Sequence, residues 1–265
     1  MPLLQSNGVV LEYEVQGAGE PVLLVMGTGA DRRPWHLHQV PELVDAGYRV
    51  ITFNNRGIAP STGADAPYAL RDLAGDVAGL LEQLTTGPCR VAGFSMGAHV
   101  VQQLLMDRPE LVSRAVLIGT TGRTDTMRRA MRDAERLVYD RQVDVPPRQR
   151  AVCTALENLS RATLADESVV RDWLDVFEYA MPTGPGFRAQ LDLELDGDHL
   201  ARCAGIGTPC HVIAFSDDVI APPHLGREVA EAIPGCTFEE VEGCGHFGYL
   251  ENPAAVNSSL LKHFS

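Results

Sequence analysis

Residues 91–99 read VAGFSMGAH, and Gly93-Phe94-Ser95-Met96-Gly97 within them spells G-x-S-x-G. The apolar run 89–94 (CRVAGF) leads into the pentapeptide, and 96–106 continues with the apolar spacing of a helix. A strand that turns directly into a helix needs a tight corner. Glycines on both sides of the corner residue remove the side chains that would clash there. Ser95 at such a corner would carry its hydroxyl above the end of a sheet, beside the positive N-terminus of the next helix. That context separates the stretch from a plain glycine-rich turn. A serine hydroxyl is still a weak nucleophile near neutral pH. It needs a base within hydrogen-bond reach, and the base needs a group that fixes its tautomer.

Working outward, the same alternation of short apolar runs and helical patterns recurs. Segments 8–15 (GVVLEYEV), 22–26 (VLLVM) and 49–53 (RVITF) have strand character, and 115–118 continues it after the serine. The unbroken run 22–26 suits a strand buried on both faces. Segments 34–46 and 68–84 have helical spacing, the first ending at Gly47 and the second at Thr85-Thr86-Gly87-Pro88. This rhythm predicts a mostly parallel sheet flanked by helices. It stops between about 122 and 200, where 126–139 and 169–179 are helical by pattern and Pro146-Pro147 and Pro182-Thr183-Gly184-Pro185-Gly186 break the chain. It resumes with strands at 211–215 and 237–241 and helices at 223–232 and 253–264. The expectation is a single α/β domain over 1–265, with its core at 1–122 and 201–265 and a helical lid inserted over about 123–200.

Composition narrows the function classes. Of 265 residues, 45% are hydrophobic, and 22 basic against 35 acidic residues give a net charge of −13. A surface of that sign repels nucleic-acid backbones and anionic lipid, so neither is an expected partner. No apolar run approaches the roughly 20 residues of a membrane span. The opening MPLLQSNGVVLEYEV lacks the basic and apolar regions of a secretory signal. Six scattered cysteines, with no C-x-x-C pair, point away from a zinc site or a disulfide framework and suit a cytoplasmic protein.

The base that Ser95 needs should follow a late strand. Among the eight histidines, only His246 has that position, in Gly243-Cys244-Gly245-His246-Phe247 after strand 237–241. His211 opens a buried strand, and His263 lies in the closing helix. His99, four residues past Ser95, is placed to line a pocket. The orienting carboxylate should follow the strand before. Phe215-Ser216-Asp217-Asp218-Val219-Ile220-Ala221-Pro222 offers two adjacent acids there. Either choice gives the chain order Ser, Asp, His. Acyl transfer also needs N–H donors for a developing oxyanion. The residue after the nucleophile, Met96, supplies one, and the loop Gly27-Thr28-Gly29-Ala30 after strand 22–26 supplies the other.

VLLVMGTG, FNNRGIAPS, GFSMGA, FSDDVIAPP and GCGHFGYLENP, together with the helical insertion, resemble the α/β-hydrolase superfamily along nearly the whole chain. The resemblance is greatest to actinobacterial serine hydrolases of the non-haem bromoperoxidase-like kind. In that family the acid precedes a proline as D-x-x-x-P, which selects Asp218, with Pro222, and leaves Asp217 as a solvated turn residue. The family pattern likewise makes Thr28 the oxyanion donor. Here Met26 stands where the family has histidine, and backbone donation survives that change. FNNRGIAPS matches D-x-R-G-x-G-x-S with Asn54 for the acid and Ala59 for the second glycine. It implies a structural loop around Arg56.

The resemblance implies carboxylester hydrolysis, or cleavage of a related acyl bond, by Ser95, His246 and Asp218, with no metal and no cofactor. The substrate would be a small, apolar or aromatic molecule. Trp173, Phe177, Tyr179, Met181 and Phe187 of the insertion would line its pocket, with Trp35, Phe94 and His99 from the core. Related scaffolds run other functions: cofactor-free perhydrolysis, a menaquinone-pathway lyase, a tailoring hydrolase or cyclase of secondary metabolism, and non-catalytic small-molecule receptors. The lyases typically carry arginine four residues after the nucleophile, where this chain has His99. Haloalkane dehalogenases and epoxide hydrolases need a carboxylate where Ser95 stands. Oligomeric state stays open, a homodimer being one option.

Overall fold

The computed structural model describes residues 2–63, 67–179, 184–195 and 197–265. Eight strands build one sheet: Leu3–Ser6 (β1), Val9–Gln16 (β2), Glu20–Val25 (β3), Tyr48–Phe53 (β4), Cys89–Phe94 (β5), Val112–Ile118 (β6), Cys210–Phe215 (β7) and Thr237–Val241 (β8). Their order is β1-β2-β4-β3-β5-β6-β7-β8. The β1–β2 and β2–β4 pairs are antiparallel, and every later pair is parallel. The sheet therefore has the mostly parallel form expected. The extra edge strand β1 had a signal, Asn7-Gly8, whose positive φ values of 46° and 80° make the two-residue hairpin into β2.

Among the described residues, twelve helices accompany the sheet: Gln39–Asp45 (α1), Leu70–Leu84 (α2), Met96–Asp107 (α3), Thr126–Asp140 (α4), Pro147–Asn158 (α5), Arg161–Ala165 (α6), Glu167–Tyr179 (α7), Pro185–Gln190 (α8), His199–Arg202 (α9), Pro223–Ala232 (α10), Gly248–Glu251 (α11) and Pro253–Phe264 (α12). They cover both faces. On β3, Leu23 and Val25 pack into the core shared with α2, α3 and α10, while Val22 and Leu24 pack into the one shared with α1 and α12. Two-residue periodicity thus explains the unbroken run VLLV: both faces of this strand are covered.

The helix expected over 34–46 is divided. A 3-10 turn at Arg33–Leu37 ends at His38, and α1 begins at Gln39. Pro41 is the reason: its ring nitrogen has no hydrogen to give the Leu37 carbonyl, so Pro41 is accommodated in the first turn of a restarted helix. Between β6 and β7 the chain runs through α4 to α9, with no strand among the described residues. Ala151, Ala155, Leu159 and Phe177 form a small separate core that ties α5 to α7. Met181, one of the residues expected to line a pocket, lies outside the described residues. Among the described residues no helix is long and apolar enough to cross a membrane.

The FNNRGIAPS loop is held from beneath. Arg56 Nε and Nη2 reach Asp76 Oδ2 and Oδ1 at 2.6 and 2.5 Å, with Asp76 only 1% exposed. Asn54 donates to Glu12 Oε2 and to the Ala59 carbonyl, both at 2.9 Å. Both contacts fit a structural loop. Removing one member of the buried pair strands the other charge without a partner. Asp76→Ala is expected to lower the unfolding free energy by about 3–5 kcal/mol, read from urea unfolding. A loss below about 1 kcal/mol would mean the pair contributes no more than a surface one.

Candidate active site

The loops that carry Thr28, Ser95, Asp218 and His246 leave the carboxyl ends of parallel strands, the edge where open α/β sheets place their ligands. Ser95 connects β5 to α3 with φ 54° and ψ −118°, a conformation that costs a residue with a side chain about 1–3 kcal/mol. Its N–H donates to the Ile118 carbonyl at 2.9 Å. The two glycines of the pentapeptide are required by contact. A Cβ on Gly93 would sit 2.3 Å from the Gly97 carbonyl oxygen, and one on Gly97 would sit 2.2 Å from that of Val25.

The structure brings Ser95, His246 and Asp218 together. Ser95 Oγ lies 3.0 Å from His246 Nε2, and His246 Nδ1 lies 2.7 Å from Asp218 Oδ2. Asp218 is 4% and His246 3% exposed. Nδ1–H donating to the carboxylate leaves Nε2 free to accept the serine proton, so this arrangement selects the useful tautomer. Asp218 Oδ1 is itself fixed by the N–H groups of Ile220 and Ala221 at 2.8 and 2.7 Å. The histidine loop is held by Glu251, whose Oε2 accepts from Gly245 N at 2.6 Å while Oε1 accepts from Ser160 N at 2.9 Å. Asp217 departs from the expected solvated turn residue. It is half-buried, and its Oδ2 accepts from Arg161 N at 3.1 Å, joining the β7 loop to the start of α6.

The expected oxyanion donors lie on neighbouring strands. β3 pairs with β5 in parallel, Val25 opposite Gly93, so the loops that follow emerge side by side. A Cβ on Gly27 would come within 3.2 Å of the Ser95 Cβ, which shows how closely the β3 loop passes the serine. Asn55 Nδ2 holds the Met26 carbonyl at 2.9 Å, and Gln190 Oε1 holds the Gly29 N–H at 2.7 Å. Among the described residues, neither the Thr28 nor the Met96 N–H donates to a protein acceptor. Donors left unengaged in so tight a corner are groups with work for a ligand.

Above this floor is a cleft of about 2010 Å³ between the sheet edge and the inserted helices. Phe94, His99, Trp173, Phe177, Tyr179 and Phe187 all line it. Tyr179 does so at the rim, 90% exposed. Trp35 does not reach the cleft. It is fully buried against Phe94 and Tyr249, at centroid distances of 6.5 and 5.1 Å, because its 3-10 turn faces the core. The backbone N–H of His99 donates to the Ser95 carbonyl at 3.3 Å, but its ring makes no hydrogen bond to Ser95 or His246. Its Nε2 lies 3.1 Å from Thr121 Oγ1, and burial, then the neighbouring Arg128, hold its pKa well below the ordinary histidine value. No group of three or more metal-ligating side chains occurs among the described residues. Gln190, Glu251 and Arg128 carried no local pattern that would have marked them in the sequence.

Residues 22–259 match the model of a family described as the alpha/beta hydrolase family. A Mycobacterium tuberculosis protein named as a candidate non-heme bromoperoxidase, BpoC, is 43% identical, covering 96% of this chain and 97% of its own. The solved structure of Rv0554 from Mycobacterium tuberculosis superposes with a TM-score of 0.93 at 43% identity, over 96% of this chain and 93% of that one. An Acinetobacter baylyi protein named (E)-2-((N-methylformamido)methylene)succinate hydrolase is 33% identical over 96% of this chain and 94% of its own.

The geometry separates the two adjacent acids. With a fluorophosphonate as probe, Asp218→Asn is expected to slow labelling of Ser95 by roughly ten-thousandfold, by favouring the wrong histidine tautomer. Asp217→Asn should change the rate by only a few-fold. The reverse ranking would reassign the acid.

Proposed function

The chain belongs to the alpha/beta hydrolase family, and from that premise we propose that it cleaves a carboxylic ester, or a related acyl bond, of a small and largely apolar molecule. The observation that carries the proposal is the continuous line from Ser95 Oγ through His246 to Asp218, at 3.0 and 2.7 Å. As Ser95 Oγ attacks the acyl carbon, its proton passes to His246 Nε2. Asp218 stabilises the imidazolium that results, and the N–H groups of Thr28 and Met96 hold the oxyanion. His246 then returns the proton to the leaving group. Water, deprotonated by the same histidine, attacks the acyl-enzyme and releases the acid. The inserted helices act as a lid whose aromatic side chains pack on the substrate and limit the entry of water. Several relatives are named as hydrolases, which supports this class of reaction.

The likeness to BpoC favours a second reading. Peroxide in place of water at the acyl-enzyme would release a peracid, and a peracid oxidises bromide without a metal. This needs the same triad, so it is a second outcome of one site. Perhydrolysis is distinguished by bromination of an added acceptor that depends on both a carboxylic acid and peroxide.

Wild-type protein is expected to turn over short and medium p-nitrophenyl esters. Ser95→Ala should lower kcat by about a millionfold, the order of loss on removing a triad nucleophile. Absence of turnover together with absence of fluorophosphonate labelling at Ser95 would contradict the proposal and favour a binding role.

A further inference from the structure

The third residue of α4 is Arg128, and its side chain lines the cleft. Nη1 donates to Thr121 Oγ1, the hydroxyl that also contacts His99 Nε2. Thr121 is fully buried and His99 is 8% exposed, so the base of this cation is a fixed polar surface. Three arginines near it are paired with acids within the protein. Arg132 pairs with Glu194 at 2.8 Å, Arg136 with Asp192 at 3.0 Å and Arg188 with Asp140 at 2.6 Å. Among the described residues no carboxylate pairs with Arg128.

The charged groups around Arg128 are Asp218, Asp125 and Arg132. None is available as a partner. Asp218 is committed to His246 and to two backbone N–H groups. Asp125 caps α4, and its Oδ1 accepts from the backbone N–H of Arg128 itself at 2.8 Å. Arg132 repels. Burial pulls the Arg128 guanidinium below its ordinary pKa, against the opposing pull of Asp218 and Asp125. In a chain with 35 acidic residues against 22 basic ones, a cation without a paired acid in the cleft that holds Ser95 is informative.

We propose that Arg128, backed by Thr121 and His99, is the anion-recognition point of the cleft, and that the substrate carries a carboxylate besides its scissile acyl bond. This inference rests on the ester-cleavage reading of Ser95. A guanidinium presents a planar fork that matches a carboxylate with two parallel hydrogen bonds. It therefore orients the ligand as well as attracting it. Glu135, two turns further along α4, and Glu157, on α5, also line the cleft, and burial raises the pKa of both, that of Glu135 to about 7. The carboxylate would meet Arg128, and the apolar remainder Trp173, Phe177 and Phe247.

The test compares mono-p-nitrophenyl adipate with p-nitrophenyl hexanoate, which have the same chain length and differ by the terminal carboxylate. The readout is the ratio of their kcat/KM values. Wild-type protein should favour the anionic ester. Arg128→Met and Arg128→Gln should each lower the ratio by about 10- to 100-fold, the range of a hydrogen bond to a charged group. A ratio unchanged by both substitutions, or a wild-type preference for the neutral ester, would overturn the proposal. A binding measurement separates this outcome from failure of the ester reading. Calorimetry of Ser95→Ala with the uncleavable mono-anilide of adipic acid should show affinity that falls by the same factor on adding Arg128→Met. Loss of ester turnover with that binding retained would sink only the hydrolytic reading. Equal affinity with and without Arg128 would sink the anion site, and thermal unfolding of each variant confirms that it is folded.

Discussion

The site depends on how tightly the chain turns at Ser95. A strand ends, a helix begins, and the corner residue adopts φ 54°, with no room for a Cβ on Gly93 or on Gly97. The strain of about 1–3 kcal/mol is held by the sheet on one side and α3 on the other. Because β5 lies beside β3, the corner emerges next to the β3 loop, close enough that a Cβ on Gly27 would come within 3.2 Å of the Ser95 Cβ. The rest of the cleft is arranged around this point. β7 and β8 deliver Asp218 and His246 from two strands further along the same edge.

What was legible in the sequence is what local patterns encode. Gly93 and Gly97 around a serine, an apolar strand before it and a helix after it give the corner. Glycines around His246 and the D-x-x-x-P spacing of Asp218 and Pro222 are likewise local, and the distances around His246 agree with them. The same holds for the unbroken run of β3, whose burial on both faces shows as the absence of alternation. The break before α1 and the hairpin into β1 also had local signals, Pro41 and Asn7-Gly8, which composition patterns over longer windows conceal.

What was not legible is set by pairs of side chains far apart in the chain. Gln190 meets Gly29 across 161 positions, and Glu251 meets Ser160 across 91. Each is an unremarkable polar residue on its own helix. Asp217 belongs to the same group, since its partner Arg161 belongs to the insertion. Trp35 shows the opposite error: its aromatic character suggested a pocket wall, but the direction of its 3-10 turn puts it in the core at 0% exposure. These long-range bonds share a physical consequence. They fasten the inserted helices to the loop after β3, to the β7 loop and, through Glu251, to the loop that carries His246.

The central claim is that Ser95 forms a covalent bond to the acyl group. Intact-protein mass spectrometry after rapid acid quench of wild-type protein mixed with a p-nitrophenyl ester tests it directly. The account predicts a mass increase equal to the acyl group less one hydrogen, located on the peptide that contains Ser95, and absent in Ser95→Ala. Ester turnover with no adduct at Ser95 under any quench time, or an adduct on another residue that survives Ser95→Ala, would contradict it.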